Sequence, residues 1–95
     1  MNLRKTAKDR GCTVRIPSVC NFNSATTVLA HIRLTGVSGM GMKSPDLLGA
    51  WACSACHDEI DSRTHKSGMT RDELRLAHYD GMARTIVQLE KEGLI

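Results

Sequence analysis

Aromatic side chains are nearly missing from this chain. Its 95 residues hold one Phe, one Tyr and one Trp, so stacked rings cannot build the interior and any core is thin. Small domains with thin cores usually depend on a covalent or metal staple. No run of about 18 apolar residues occurs, which excludes a membrane-spanning helix. The N-terminus is charged through Arg4, Lys5, Lys8, Asp9 and Arg10, with no apolar stretch behind it, so no secretory signal is expected. A cytoplasmic location follows, and with it reduced thiols. Repeats, low-complexity tracts and interdomain linkers are also lacking, so residues 1–95 are read as one domain.

The glycine-containing loop Gly36-Val37-Ser38-Gly39-Met40-Gly41-Met42-Lys43 lacks both the spacing and the strand-to-helix context of a phosphate-binding fingerprint. No nucleotide cofactor is expected. The loop still lets backbone approach a ligand closely.

Charge is unevenly spread. Residues 1–45 carry seven Lys and Arg against one acid, Asp9, for +6. Residues 46–95 carry six against nine acids, for −3. A basic front half suits a polyanion partner. A solvated surface with a chance bias is the plain alternative.

What the chain does have is cysteine. Four of them stand as Cys12-x7-Cys20 and Cys53-x2-Cys56. In a reducing compartment, paired cysteines more often hold metal than form disulfides. Four thiolates match tetrahedral Zn²⁺, and structural zinc supplies roughly 10–16 kcal/mol to folding. Disulfides after export and free buried thiols are the competing readings. Cys53-Ser54-Ala55-Cys56-His57 also spells the c-type haem attachment motif, but haem leaves Cys12 and Cys20 unexplained.

Local patterns give an α+β order. Residues 1–11 read as irregular and 12–23 as a knuckle of tight turns. Thr26 to Arg33 alternates like a strand, with Val28, Ala30 and Ile32 on the inward side and Leu29, His31 and Arg33 on the other. Ala50-Trp51-Ala52 forms a brief second strand that delivers Cys53 to a helix over about 54–62. Thr70 with Glu73 fits a capping box. It opens a helix that stops at Gly93, with Leu74, Ala77, Gly81, Ile86 and Leu89 as its apolar face. Gly81 costs about 1 kcal/mol relative to Ala in a helix, so it marks a close packing point or a kink.

His57 and Asp61, at i and i+4, share one face of the second helix. A His after a Cys pair can also simply cap the knuckle, His31 can be a surface residue, and Asp61 a solvated acid. His65 and His78 read as structural, with His65 nearer to a cleft.

The order of elements resembles the HNH, or ββα-metal, nucleases. The segment 12–65 would be the zinc knuckle and ββα core, and 70–93 a helix packed over it. The resemblance implies that His31, at the end of the first strand, is the general base that activates water. It implies a structural zinc on Cys12, Cys20, Cys53 and Cys56, and a catalytic Mg²⁺ or other divalent cation on His57 and Asp61. It makes the chain a metal-dependent DNA endonuclease, with Arg33 and, more weakly, Lys43 as phosphate contacts. Two positions depart from the pattern. Ala30 stands where an acid or His often precedes the base, and the Asn usual a few residues before the second Cys pair has no clear match, since Leu47, Leu48 and Gly49 occupy that region. Asp46 is the nearest polar substitute, able to bind metal or orient His31. Nearly the whole chain, including Arg15-Ile16-Pro17 and Trp51 to Asp58, is further similar to the small prophage proteins of the YbcO family. The competing function is a non-catalytic zinc module that binds nucleic acid or protein.

Overall fold

Two short strands form the only sheet among the described residues, which are 3–32 and 45–95 of a computed structural model. Strand β1 (Val28–His31) pairs antiparallel with β2 (Gly49–Ala52), in a register that sets Leu29 opposite Trp51 and His31 opposite Gly49. A single-turn helix α1 (Leu3–Thr6) precedes them, and a 3-10 turn at Ser24–Thr26 leads into β1. Helix α2 (Ser54–Ile60) and the long α3 (Arg71–Lys91) follow. The result is a small α+β fold with a two-stranded sheet and a C-terminal helix.

The pleat sends successive side chains to opposite faces, and the sheet uses both. Ala30, Ala50 and Ala52 pack with the four cysteines, Val14, Ile16, Val19 and Leu74. Leu29 and Trp51 turn the other way, onto Ala7, Leu89, Leu3 and Leu94. Small alanines on the first face leave room for the cysteine knuckle. Residues 1–11 are therefore not irregular throughout: α1 brings Leu3 and Ala7 against the lone tryptophan. Strand β1 is shorter than the alternation suggests. Thr26 is spent in the 3-10 turn, and Val28, at the open end of the ladder, is exposed.

Helix α3 spans about 31 Å at 1.5 Å per residue. Its start is the reciprocal capping box: the Glu73 backbone N–H donates to Thr70 Oγ1 (3.1 Å), and the Thr70 N–H donates to Glu73 Oε1 (2.9 Å). Its end is a Schellman turn. Gly93, at φ +71°, donates to the Glu90 carbonyl, and Leu94 donates to the Leu89 carbonyl. Such a turn needs a left-handed residue, which glycine supplies at little cost.

The buried face of α3 is Leu74, Gly81, Thr85 and Leu89, so Thr85 occupies the place expected for Ile86. Thr85 Oγ1 accepts the Trp51 backbone N–H (3.1 Å), donates to the Gly81 carbonyl (2.9 Å), and lies 2.9 Å from Thr13 Oγ1. A hydroxyl is preferred there because it satisfies the free edge of β2, which an aliphatic side chain would not. Gly81 is the close packing point: a Cβ there would meet Val14 Cγ2 at 2.9 Å and the Val14 backbone at 3.1 Å.

Candidate active site and cysteine cluster

The knuckle is built from backbone that glycine would normally occupy. Arg15, Ser18 and Phe22 all take positive φ (51°, 65° and 53°), which folds 12–23 tightly enough to return Cys20 toward Cys12. The Arg15 N–H then points at Cys12 Sγ (3.4 Å). Cys53 caps α2, accepting the Cys56 N–H on its own sulfur (3.4 Å). The four sulfurs all lie within 4.8 Å of one another, and Cys20 and Cys53 are 3.8 Å apart. With metal–sulfur bonds near 2.3 Å, a tetrahedral site has sulfurs about 3.8 Å apart.

The donors' protonation also fits a cation. A hydrogen bond from Cys56 pulls the Cys12 thiol down to about 4, and the same contact pushes Cys56 up. Burial pushes Cys20 up to about 11. A bound cation favours the thiolate form of each sulfur that ligates it. The quartet can hold a metal ion. Its convergence also uses both cysteine pairs, which haem attachment would not.

The next feature is a cavity of about 390 Å³ beside α2, lined by His31, Asp61, His78, Arg63, Arg71 and Arg75 among others.

 The strand end carries His31 there, α2 carries Asp61 at its C-cap, the α2–α3 connection carries Arg63, and the first turns of α3 carry Arg71, Arg75 and His78. His31 and Asp61 thus line one cavity, while His57, one turn back on α2, is not among the lining residues and touches Asp61, with Nε2 3.2 Å from Asp61 Oδ2.

His31 has a fixed partner. Its Nε2 lies 2.7 Å from Asp46 Oδ1. That hydrogen bond, ahead of a weaker one from Arg4, holds the Asp46 carboxyl below its ordinary value. An ionised carboxylate only accepts, so the proton sits on His31 Nε2 and Nδ1 is the ring's basic nitrogen. Of the two roles open to Asp46, the geometry matches the orientation of His31.

His78 corrects a sequence expectation. It, and not the exposed His65, lines the cavity. Its Nε2 donates to the Ala30 carbonyl (2.8 Å), since a carbonyl can only accept. Burial lowers its pKa, the Ala30 bond opposing in part, and the charges of Asp61, His57 and His31 are all felt there. Among the described residues only the cysteine quartet brings three or more ligand atoms close enough to share an ion. His57 and Asp61 bring two donors together, one imidazole nitrogen and one carboxylate oxygen.

The arginines were not found from sequence, although one signal was available. Arg71, Arg75 and His78 stand at i, i+4 and i+7, which is one face of a helix. The basic front half had drawn attention away from α3. Arg33 and Lys43 lie outside the described residues. Glu59 was also missed. It is a carboxylate buried under the α2–α3 connection that accepts from Thr64 Oγ1 (2.6 Å), the Lys66 N–H (3.1 Å) and the Ser67 N–H (2.8 Å). It holds in place the segment from which Arg63 reaches the cavity.

Comparison with known proteins gives one consistent family. The family model described as "Putative nuclease YbcO" matches residues 1–94. Relatives of that same description from Escherichia coli (strain K12) and Enterobacteria phage 82 are each 56% identical over 96 residues, covering 99% of this chain and 96% of theirs. A solved structure, titled as that of a putative bacteriophage protein from Escherichia coli K-12 MG1655, superposes with a TM-score of 0.81 at 51% identity. It covers 97% of this chain and 100% of its own. Among the described residues no helix is long and apolar enough to cross a membrane.

Proposed function

Because the chain belongs to the YbcO family, we propose that it is a zinc-stapled, metal-dependent endonuclease of the HNH type that hydrolyses DNA phosphodiester bonds. The observation that carries this reading is the shared cavity. An oriented imidazole, three arginines and the Asp61 carboxylate line it, and His57 pairs with that carboxylate from one turn back on α2.

Each group has a role. Nδ1 of His31 takes a proton from water, whose oxygen attacks phosphorus as the P–O bond to the leaving sugar oxygen breaks. A neutral imidazole has suitable basicity near pH 7. Asp46 keeps the ring oriented and stabilises the imidazolium that forms. Arg63, Arg71 and Arg75 face the phosphate oxygens, where guanidinium forks bind anions in pairs of hydrogen bonds. Arg33 and Lys43 remain further phosphate contacts in this reading. His57 and Asp61 would hold the divalent cation, which when bound neutralises the phosphate and stabilises the leaving oxygen. The cysteine quartet holds zinc, a role that needs reduced thiols and so places the protein at work in the cytoplasm.

The deciding experiment is plasmid cleavage with Mg²⁺, Mn²⁺ or Ni²⁺, run beside His31→Ala. General-base loss should slow cleavage by about 10²–10⁴-fold while folding and DNA binding persist. Undiminished cleavage by His31→Ala would remove it as the base. No cleavage by the unaltered chain in any of the three ions would leave the zinc module that only binds.

A further inference from the structure

A second cavity, of about 610 Å³, opens along the C-terminal half of α3, walled by Arg10, Arg15, Trp51, Arg84, Val87 and Lys91. It is not an extension of the first. Nine residues separate Arg75 from Arg84, which is about two and a half helical turns. The two arginines therefore leave α3 on opposite flanks, displaced by about 13 Å along its axis.

The arginines here are held by hydrogen bonds, and of the four cations Arg10 is paired with a carboxylate. Arg10 lies over the Trp51 ring, 4.9 Å from its centroid, and is paired through both guanidinium nitrogens with Glu92. Arg15 Nε donates to the Cys12 carbonyl (3.0 Å), and Arg84 Nη1 donates to the Thr13 carbonyl (2.7 Å). Carbonyls orient a guanidinium without neutralising it. Among the described residues Arg15, Arg84 and Lys91 form no ion pair with a carboxylate. Guanidiniums already held need lose little freedom when an anion arrives. Beside them Val87 is 53% exposed, an apolar shelf next to cations. The Trp51 indole N–H is buried and has no hydrogen-bond partner among the described residues.

Cations next to an apolar shelf, in a space of this size, suit a nucleotide: phosphate on the cations, sugar and base on the shelf. Selective reading of a base edge is not provided for, because the Gln88 amide already donates to Glu92 (2.8 Å). That favours a hold on the repeating backbone. Two cations of the front half, Arg10 and Arg15, also line this cavity.

We propose that this cavity is a second nucleic-acid site, which holds one nucleotide of a single strand with its phosphate against Arg15, Arg84 and Lys91. The choice of DNA as the polymer rests on the nuclease reading, but no group of the cleavage cavity takes part. The site gives the protein a grip on a strand away from the bond it cuts.

Trp51 is the only tryptophan, so its indole ¹H–¹⁵N resonance reports on this cavity alone. The zinc-loaded full chain is titrated, without added Mg²⁺, with a short single-stranded DNA, with a deoxynucleoside monophosphate and with inorganic phosphate at matched ionic strength. The oligonucleotide should move the indole resonance saturably and bind tighter than either small anion. Arg84→Gln with Lys91→Glu should weaken that response about tenfold and reduce the salt slope of binding by about 1.4, at roughly 0.7 per lost single-strand phosphate contact. Lys91→Glu alone, on an exposed residue, should give part of the loss without touching the Thr13 bond. His31→Ala should leave the resonance response unchanged even if cleavage is lost. An unmoved indole while anisotropy shows the oligonucleotide bound would overturn the site. Equal affinity for the monophosphate would overturn the strand, and equal affinity for inorganic phosphate would reduce it to an adventitious anion pocket.

Discussion

His31 Nε2 sits 2.7 Å from Asp46 Oδ1, across 15 residues of sequence. The contact does for His31 what no residue adjacent in the strand can do. It puts the proton of a neutral ring on Nε2, which is the tautomer that the proposed base role of Nδ1 requires. Ala30, at the position where a polar residue would otherwise stand, contributes only its carbonyl, which His78 occupies.

If Asp46 orients the base, Asp46→Ala should lower cleavage by about 10–100-fold, the usual cost of losing a partner that orients a functional histidine. Circular dichroism and zinc content should not change. Asp46→Asn should be nearly as slow, because an amide can present its N–H to Nε2 and invert the tautomer. Wild-type rates in both variants would show that the contact is incidental.

The cysteine quartet sits at the centre of one of the two core clusters, so its metal should control folding. Cys53→Ser or Cys56→Ser should release zinc and unfold the chain, and a strong chelator should do the same to the unaltered protein. The apparent binding energy in such sites, roughly 10–16 kcal/mol, exceeds what a domain of this size keeps in reserve. Full metal content with an unchanged melting temperature in either variant would refute the staple.

Much of this was legible in the sequence because it rests on short-range rules. The Thr70–Glu73 box, the stop at Gly93 and the Cys-x2-Cys start of α2 each follow from residues within one turn. The pairing of His57 with Asp61 is likewise a matter of helical spacing. What escaped depends on long-range packing. Thr85 looks like a helix-weakening residue until β2 is seen to need an acceptor at its edge. His78 looks like a surface histidine until Ala30 is found opposite it, 48 residues away. Glu59 reads as one more helix acid, and only the folded connection around it makes it a buried anchor. The basic front half divides between two places: Arg10 and Arg15 line the second cavity, while Arg4 pairs with Asp46, the partner of His31.

Gly81→Ala tests whether close packing outweighs helix propensity. Alanine should gain about 1 kcal/mol in a helix interior. Here the new methyl would meet the Val14 backbone at 3.1 Å, and backbone cannot rotate aside as a side chain can. Overpacking of this kind costs about 1–3 kcal/mol. The variant should melt below the parent, and Val14→Ala, by removing the nearest methyl, should recover part of the loss. A stabilised Gly81→Ala would mean that α3 stands farther from the knuckle than 2.9 Å allows.

Glu59 gives the fold an acid-sensitive point. Hydrogen bonds from Ser67 and Thr64 and backbone N–H groups hold its carboxyl down to about 2, against an ordinary 4.5. A carboxyl whose value is lower in the folded chain favours folding most where both states are ionised, above about pH 4.5. That contribution is lost progressively as pH falls toward 2, because the unfolded chain takes up the proton first. Thermal melts across this window should therefore show a falling midpoint. Glu92, held near 2 by Arg10, adds its own share, so the diagnostic quantity is the difference between variants. Glu59→Gln cannot ionise and sets an amide N–H against the donors of Lys66 and Ser67. It should be less stable than the parent at pH 7 and lose less on acidification, so the two curves converge near pH 2. Parallel curves would mean that Glu59 is not the buried acceptor that ties the α2–α3 connection down.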